Sequence, residues 1–460
     1  MPDAASYHDL DVVPQSERRH PVTLGLVWMT MVTGMPAILV GFNWYKSGID
    51  LWQVAVSAVI SCVFLLIYSI PAVQLGARSG QTYSLLSRSV FGRYGYYLVT
   101  INMICMFVLF YGFTALFIAE GLKGLYPWAI PTAILAFAVA IICSFNNLFG
   151  FSGVANFARF FAAPVLLCWI LFSFGKAVAV SHSFSLPLTP VSFGSALTTV
   201  SSFVIGYAIW GNEPDYWRYS KGNKLHSGMA IAAALILGEA VFPATGWLLA
   251  HLTGITDSQA ALKVLNDFSL GGVSLLAAIV LVATAFACED SNMFGMVAAL
   301  QGLKQMRHRL AVILLAFAGG CVAAALSATG SANAIETIAG LNCIIMPTPT
   351  VIMLAEWYLQ TRVFKVSPFI DKVASLEAVE KLRVPATVAL IFGCAVGVLT
   401  SGVIPGTERY RFGVACVQAW LAALALYVPL RLVEFNRQST RVPQYVILKE
   451  EPAELVASNS

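Results

Sequence analysis

Charged residues are scarce in this chain, and the sequence motifs of disulfide-bonded, zinc-binding and nucleotide-binding proteins are not found in it. Only 11% of its 460 residues are charged, against about 25% in soluble domains. The nine cysteines contain no CxxC pair and the six histidines are dispersed, so neither a disulfide framework nor a zinc site is expected. No Walker-type phosphate loop occurs, which argues against transport driven by ATP. The polar first twenty residues do not resemble a signal peptide, so we expect the first membrane span to direct insertion.

Apolar residues, by contrast, make up 58% of the chain and occur in long blocks separated by charges. Residues 52–75, for example, include no Asp, Glu, Lys or Arg. A helix needs about 20 apolar residues to cross the hydrocarbon core, and a membrane strand is roughly half as long, so the blocks predict an all-α polytopic membrane protein. About twelve spans are expected, at 23–45, 52–76, 96–121, 128–148, 155–180, 195–219, 228–253, 273–302, 309–329, 334–360, 384–404 and 410–433.

The lysines and arginines predict the orientation of these spans. With the N-terminus inside, 21 of the 27 fall in cytoplasmic segments, as the positive-inside rule requires. Both termini are then cytoplasmic, and the net charge of +4 needs no nucleic-acid partner. A bacterial inner membrane is the expected location. We expect a tail at 1–21, a core at 22–360, a cytoplasmic loop at 361–383, two further helices at 384–434, a tail at 435–460 and a short amphipathic helix at 257–270.

Two spans contain residues that interrupt a helix. Span 1 carries Thr33-Gly34-Met35-Pro36, and span 6 carries Gly206 followed by WGNEPD at 210–215. Glycine and proline loosen helical hydrogen bonding, and backbone groups freed inside a membrane must find protein, water or a ligand. Broken helices five spans apart are typical of transporters built from inverted repeats, which bind substrate and ion at the breaks. A simple packing kink is the alternative.

Polar side chains inside spans are candidates for binding. Glu289 and Asp290 lie mid-way along span 8. Adjacent helix positions point about 100° apart, so one carboxylate is expected to line a cavity and the other to pair with an Asn or Ser on a neighbouring helix. Asn292 offers a donor and an acceptor, which suits a nucleobase edge, with helix–helix contact as the alternative. Asp215 and Arg218 are expected to form a local ion pair or gate.

Several short patterns occur together in a fixed order. They are Val13-Pro14-Gln15-Ser16-Glu17-Arg18, then Gly76-Ala77-Arg78-Ser79-Gly80 with Phe91-Gly92-Arg93, then Gly206-Tyr207 to Pro214-Asp215-Tyr216-Trp217-Arg218, then Ser291-Asn292-Met293-Phe294, and Pro347 with Ala355-Glu356-Trp357. In these patterns the chain resembles the nucleobase–cation symporter family, in its branch of purine–cytosine and cytosine permeases. The resemblance extends over residues 13–360.

The resemblance implies a fold and a mechanism. The fold is the five-plus-five inverted repeat of the leucine-transporter class, here 22–180 and 195–360, followed by two extra helices. The mechanism is alternating access, in which spans 1, 2, 6 and 7 (the bundle) rock against spans 3, 4, 8 and 9 (the scaffold). The implied substrate is a nucleobase such as cytosine or a purine, with no cofactor and no obligatory protein partner.

Family roles carried to matching positions give a substrate site. It consists of Phe110, Thr114, Trp210 and Asn292, with Tyr207 as a second aromatic candidate. Phe110 stands where the family usually has a tryptophan, and Thr114 where it usually has Gln or Asn, so the substrate is left open. Thiamine, vitamin B6 precursors, allantoin, hydantoins and nucleosides are the alternatives to a nucleobase.

The coupling ion is expected to be H⁺ or Na⁺. Family members with a sodium site use span-1 carbonyls, here those of Met35, Pro36 and Ala37, and span-8 hydroxyls. Span 8 has Cys288 in that region, and a thiol is a poor sodium ligand. We therefore expect proton coupling through Glu289 or Asp290, with sodium bound partly by one of these carboxylates as the alternative. A channel, a sensor or an enzyme is a weaker hypothesis, because no filter loop, output domain or catalytic cluster is recognised.

Overall fold

The computed structural model describes residues 12–33, 35–126, 128–180, 191–221, 223–256, 261, 264, 273–304, 306–328 and 331–439. Within these ranges ten helices are long and apolar enough to cross a membrane, and a bent pair makes an eleventh. The shorter apolar helix Phe193–Ala208 stands where the sixth span was expected. The number and order of spans therefore agree with the prediction of about twelve.

The spans keep their expected numbers. They are span 1, Pro21–Val32 and Met35–Lys46; span 2, Leu51–Ser79; span 3, Tyr83–Leu125; span 4, Thr132–Cys143 with Phe145–Phe149; span 5, Phe151–Phe157, Ala158–Ala162 and Ala163–Val180; span 6, Phe193–Ala208 and Glu213–Trp217; span 7, Lys224–Ile236, Leu237–Val241 and Phe242–Thr253; span 8, Ser274–Leu303; span 9, His308–Leu326; span 10, Ser331–Ile345, Pro347–Tyr358 and Leu359–Val363; span 11, Val384–Ser401; and span 12, Ala415–Ser439. The expected helix at 257–270 lies outside the described residues, apart from Ala261 and Val264, which are helical and buried.

Both expected interruptions are breaks in the helix. In span 1 the first half ends at Thr33, which is extended (φ −107°, ψ 90°), and the two halves are inclined by 45°. In span 6 the first half ends at Ile209, also extended. Gly211 then adopts φ +78°, which glycine tolerates because it has no Cβ. The second half follows as the short helix Glu213–Trp217.

Span 3 begins earlier than the sequence predicted. The family-like segment at 83–92, expected to lie in a loop, is helical, and the helix bends at Gly92 (φ 72°) before it continues to Leu125. The segment between spans 10 and 11 packs on this bend: the Arg93 amide donates to the Glu380 carbonyl (2.9 Å) and the Arg383 amide to the Phe91 carbonyl (3.1 Å). The bend thus serves as a docking point for the 361–383 segment.

The helices group as a bundle and a scaffold. Span 7 packs along both halves of span 1, and span 2 packs on spans 6 and 7, while spans 3, 4, 8 and 9 pack on one another. Two glycines allow the closest approach within the bundle. A Cβ at Gly41 would collide with the Pro243 carbonyl, and one at Gly246 with the Ile38 carbonyl. Because the obstacles are backbone atoms, these helices are held at a distance that only glycine permits.

Span 12 is attached to the core by a buried ion pair. The Glu356 carboxylate in span 10 accepts from the Arg431 guanidinium (3.0 Å) and the Tyr427 hydroxyl (2.6 Å) of span 12. The Gln360 amide donates a further bond (2.8 Å), and Arg383 lies 3.6 Å away. Glu356, noticed in the sequence only as part of a family-like pattern, thus has its main partner 75 residues distant along the chain.

Candidate functional site

The break in span 6 is held open by span 10. The Asn342 amide donates to the carbonyls of Gly206 (2.7 Å) and Ile209 (3.1 Å), and the Thr350 hydroxyl donates to the carbonyl of Gly211. These carbonyls lack helical partners because the helix stops there. Span 10 therefore satisfies groups that would otherwise be stranded inside the membrane, and it fixes the position of Trp210 between them.

Glu213 satisfies the amide side of the same break. One carboxylate oxygen accepts from the backbone amides of Trp210 and Gly211 (both 3.3 Å). The other accepts from the Tyr68 hydroxyl of span 2 (2.9 Å). Glu213 is fully buried. Both of its carboxylate oxygens are hydrogen-bonded to groups at or beside the break, so Glu213 is a positioning residue for Trp210.

Aromatic rings from the bundle and the scaffold meet at this break. Trp210 of span 6 lies parallel to Phe107 of span 3, with 5.2 Å between ring centroids and 8° between planes. Phe110 is closer to Trp210, at 4.2 Å, with its plane tilted by 54°. Tyr207 faces away from this pair and stacks on Phe203 at 5.2 Å. The structure therefore brings together the predicted residues Phe110 and Trp210, with Phe107 as a third ring.

The polar candidates converge on one thiol. The amide of Asn292 lies 3.9 Å from the Cys288 sulfur, one turn away on span 8. The side chains of Thr114 on span 3 and Tyr207 on span 6 lie near the same sulfur, while the Thr114 hydroxyl donates to the Phe110 carbonyl of its own helix (3.0 Å). The side-chain oxygen of Asn292 is buried and has no hydrogen-bond partner among the described residues. Thr114, Tyr207 and Asn292 thus surround Cys288, and Asn292 keeps an unused acceptor.

Glu289 and Asp290 point to different neighbours, as adjacent helical positions require. The Asp290 carboxylate accepts from the amides of Asn146 (2.8 Å) and Asn147 (3.0 Å), at the end of span 4. Glu289 faces Tyr111 of span 3 and Cys143 of span 4. It is fully buried, and neither of its oxygens has a hydrogen-bond partner among the described residues. Of the two, Glu289 carries the unsatisfied carboxylate.

Asp215 and Arg218 lie at the end of the second half of span 6. The Asp215 carboxylate accepts from the Tyr83 amide (2.8 Å), at the start of span 3, and from the Asn212 side chain (3.4 Å). The Arg218 guanidinium donates to the Asp215 backbone carbonyl (3.2 Å) and to the Tyr219 hydroxyl (3.0 Å). Asp215 therefore joins span 6 to span 3, across the boundary between bundle and scaffold.

The expected ion-binding carbonyls lie at the break in span 1. Met35 begins the second half of that span, and Ala37, two residues further in, is fully buried. Span 1 contacts span 8, the same pair of spans that the sequence proposed for an ion. Within the described parts of the chain, no group of three or more His, Cys, Asp or Glu is arranged to hold a metal ion.

Sequence reasoning missed several of these residues. Glu213 was noticed only as part of a pattern, and Cys288 only as a poor sodium ligand. Asn342 and Glu239 were not considered. Glu239, in span 7, is a second fully buried carboxylate with no hydrogen-bond partner among the described residues. Asn342 and Glu239 are each a lone polar residue in an apolar span, which is itself a signal of function. A search for such residues would have found both.

A cavity of about 380 Å³ lies next to the site. It is lined by residues of spans 1, 6 and 10 and by the segment between spans 11 and 12, including Trp44, Thr198, Ser202, Phe203 and Arg411. Phe203 separates it from Tyr207, on which it stacks. The cavity therefore ends one aromatic ring away from the residues around Cys288.

Known proteins resemble this chain in sequence and in fold. A family model for permeases of cytosine/purines, uracil, thiamine and allantoin matches residues 12–422. A purine–uracil permease of Arabidopsis thaliana is 25% identical over 241 residues, which cover 46% of this chain and 40% of that protein. The chain thus spans less than half the length of that relative.

The solved structures agree with the family match in fold. Mhp1, a nucleobase–cation-symport-1 family transporter, closed with bromovinylhydantoin bound, superposes with a TM-score of 0.72 at 16% identity, covering 97% of this chain and 98% of that one. Its inward-facing conformation gives 0.73, at 16% identity, with 98% and 97% covered. A Na⁺-coupled sialic acid symporter, in a substrate-bound outward-open state, gives 0.61 at 11% identity, with 94% and 93% covered.

These matches confirm the predicted leucine-transporter-class fold. The relatives are permeases and symporters, so the prediction of a membrane transporter for a small molecule, not an enzyme, is confirmed as well. The match over 12–422 includes both broken helices and every residue described around them. This chain belongs to the nucleobase–cation symporter family of permeases for cytosine/purines, uracil, thiamine and allantoin.

Proposed function

We propose that this transporter is a proton-coupled symporter for a planar nitrogen heterocycle, with a nucleobase such as cytosine or a purine as substrate. The observation that carries the proposal is the contact of Trp210 with Phe110, together with the buried, unused acceptor that Asn292 of span 8 keeps. Two aromatic faces bind the plane of a heterocycle, and stacking of a base on an aromatic ring is worth about 1–3 kcal/mol. The free oxygen of Asn292 accepts from a ring or exocyclic N–H at the edge.

The placement of these groups links binding to alternating access. Trp210 belongs to the bundle, whereas Phe110 and Asn292 belong to the scaffold. In the structure Trp210 is in direct ring contact with Phe107 and Phe110, so a substrate enters only when these rings separate. A ligand held from both sides then favours the arrangement that closes around it, which is how differential affinity drives a conformational change.

The unsatisfied carboxylate of Glu289 supports a proton as the coupling ion. An ionised carboxylate buried without a partner costs several kcal/mol, so Glu289 is neutral while it is enclosed and releases its proton when water reaches it. Asp290 has two amide donors and serves as a structural anchor. The alternative is a sodium ion bound where spans 1 and 8 contact each other, with Glu289 as one ligand. The experiment below distinguishes sodium coupling from proton coupling.

We further propose that both termini are cytoplasmic and that the membrane is a bacterial inner membrane. The 21 of 27 basic residues on one side support the orientation. No cofactor and no obligatory protein partner is needed for the proposed cycle.

The test is uptake of radiolabelled cytosine into proteoliposomes, with unlabelled adenine, hypoxanthine, uracil, allantoin and thiamine as competitors. Uptake is driven in turn by an inward pH gradient and by an inward sodium gradient. We expect saturable uptake driven by the pH gradient and competition by one class of heterocycle. Glu289→Gln should abolish accumulation but keep counterflow exchange, while Asp371→Asn, in the segment between spans 10 and 11, should keep both. Uptake driven by sodium alone, or no uptake of any of these compounds, would contradict the proposal.

A further inference from the structure

Glu239 is a buried carboxylate that the proposed cycle has not used. It lies in the π-helical turn Leu237–Val241 in the middle of span 7, where the chain makes a wider turn than in an α-helix. Such turns are often found at functional sites. The side chain is 0% exposed, and both oxygens have no hydrogen-bond partner among the described residues. Glu239 is thus enclosed by protein without the donors that an ionised carboxylate needs.

The turn is packed against the break in span 1. A Cβ at the adjacent Gly238 would lie 2.7 Å from the Val32 side chain and 2.9 Å from that of Thr33. The same turn contacts spans 2 and 6. Glu239 therefore lies where all four bundle helices meet, next to one of the two interruptions.

The titratable groups that face Glu239 come from two of these helices. They are the Cys62 thiol on span 2 and the Tyr207 hydroxyl on span 6. Neither supplies a positive charge. An ionised Glu239 in this place would have no counter-charge and no hydrogen-bond donor among the described residues, so the neutral acid is the form that fits this structure.

We propose that Glu239 is a proton-binding site of the bundle, connected to the substrate-binding residues through Tyr207. This inference rests on the proposed transport function. One carboxylate oxygen takes a proton from water that enters along the adjacent break in span 1 when bundle and scaffold separate, which forms an O–H bond and removes one negative charge. The same proton returns to water on the other side, so each cycle binds one proton at Glu239 and releases one.

Tyr207 carries the state of Glu239 to the substrate. Tyr207 is on the half of span 6 that the turn at Glu239 contacts, and its hydroxyl is within electrostatic range of both Glu239 and Cys288. When Glu239 is ionised, it attracts the Tyr207 hydroxyl proton and draws it away from Cys288. When Glu239 is protonated, Tyr207 is free to donate to Cys288, and the cluster of Thr114, Cys288 and Asn292 takes the arrangement described above. Substrate affinity is therefore higher when Glu239 is protonated.

Glu239 and Glu289 occupy opposite sides of the interface. Glu239 belongs to the bundle and Glu289 to the scaffold, with Tyr207 and Cys288 between them. One carboxyl on each side gives two separate protonation sites. The site at Glu239 can be distinguished from the site at Glu289 because it still titrates when Glu289 is replaced.

The first test needs no substrate. Infrared absorption of the full-length protein in proteoliposomes is recorded at pH 7 for the wild type and for Glu239→Gln. A protonated carboxylic acid shows a C=O stretching band that an ionised carboxylate lacks, and the band shifts in D₂O. We expect the wild-type minus Glu239→Gln difference to contain this band, and to keep it in a Glu289→Gln background. Absence of the band would mean that Glu239 is ionised and would overturn the proposal.

Glu408 provides the matched control. It lies in the segment between spans 11 and 12, where its own amide and that of Gly406, which donates at 3.0 Å, hold the pKa of its carboxyl below the usual range. Glu408→Gln therefore should remove no protonated-acid band at pH 7. Loss of that band in Glu408→Gln as well would show that the signal is not specific to Glu239, and would count against the assignment.

The second test examines the link to the substrate found by uptake. One proton taken up with the substrate changes Kd by at most about tenfold per pH unit. We expect Glu239→Gln to flatten the dependence of Kd on pH, Glu239→Asp to restore it, and Tyr207→Phe to flatten it while the Glu239 infrared band persists. An unchanged slope in Glu239→Gln would refute the connection through Tyr207. If no substrate were found, the proposed function would fail, while the infrared test would still decide whether Glu239 is protonated.

Discussion

The indole ring of Trp210 lies parallel to the phenyl ring of Phe107, with 8° between their planes and 5.2 Å between their centroids. One ring belongs to the bundle and the other to the scaffold. A planar ligand stacked on Trp210 takes the position that Phe107 or Phe110 now occupies. Under the proposed function these rings fill the space of the stacked substrate, and their contacts favour the conformation seen here when no substrate is bound.

Trp210 should dominate substrate affinity. We expect Trp210→Ala to raise Kd by roughly 10- to 100-fold, because a stacked base contributes about 1–3 kcal/mol. Trp210→Phe should cost less than tenfold, since it keeps one aromatic ring, although it loses the fused second ring and the indole N–H that donates to the Tyr207 carbonyl (3.2 Å). Equilibrium binding of labelled substrate measures both. Equal losses in the two variants would mean that stacking is not the main contribution.

The ion pair between spans 10 and 12 should matter for stability. Removing one partner of a buried pair costs about 3–5 kcal/mol, so Glu356→Gln should lower the thermal midpoint of the detergent-solubilised protein clearly. The control is Glu434→Gln, which removes only the partly exposed second contact of Arg431 and should have a small effect. A combined Glu356→Leu and Arg431→Leu variant should be more stable than Glu356→Gln, since the charges that then lose a partner, Arg383 and Glu434, are partly exposed.

The glycines inside the bundle should not accept even one methyl group. Gly246→Ala places a Cβ against the Ile38 carbonyl, and overpacking of this kind costs about 1–3 kcal/mol. Gly175→Ala, in span 5, is the matched control, because nothing lies within 4 Å of a Cβ there and alanine normally favours a helix over glycine. The thermal midpoint should therefore fall in Gly246→Ala and rise in Gly175→Ala. A stable Gly246→Ala variant would show that spans 1 and 7 can move apart.

Arg19 should fasten the segment before span 1 to spans 5 and 7. Its guanidinium donates to Asn156 (3.1 Å) and Ser152 (3.0 Å) of span 5, while its backbone carbonyl accepts from the Lys221 amide (2.8 Å), next to span 7. Two net hydrogen bonds are worth about 1–3 kcal/mol together, so we expect Arg19→Ala to speed amide exchange around Lys221 by about tenfold. Arg159→Ala, on the surface of span 5, should leave that exchange unchanged.

Much of the fold was predictable because membrane burial leaves a direct record in the sequence. Each apolar block became a helix, and the interruptions at 33–36 and 209–212 became breaks, since glycine and proline act on their own backbone. The early start of span 3 was not predicted. The helix at 83–91 is amphipathic and lies beside the segment between spans 10 and 11, so its helical form depends on contacts nearly 300 residues away in the chain.

The candidate site was predictable only in part, for a different reason. Phe110, Trp210 and Asn292 could be named by matching family patterns, and the structure shows Phe110 and Trp210 in contact. The residues that hold these side chains in place could not be predicted from the sequence. Asn342 and Tyr68 act on span 6 from spans 10 and 2, and no local pattern marks a side chain whose role is to cap a distant break. Glu239 was overlooked because an otherwise ordinary apolar span drew no attention.

The contact of Gly41 and Gly246 with each other's helices bears on how this protein is made. The second half of span 1 fits against span 7, so its buried face has no final partner until more than 200 further residues have been synthesised. Span 1 must therefore wait in the translocation machinery or in lipid with its packing surface uncovered, and the two repeats cannot mature one after the other as independent modules. Errors in biogenesis should then concentrate in the first spans, which are the earliest to be inserted and among the last to find their neighbours.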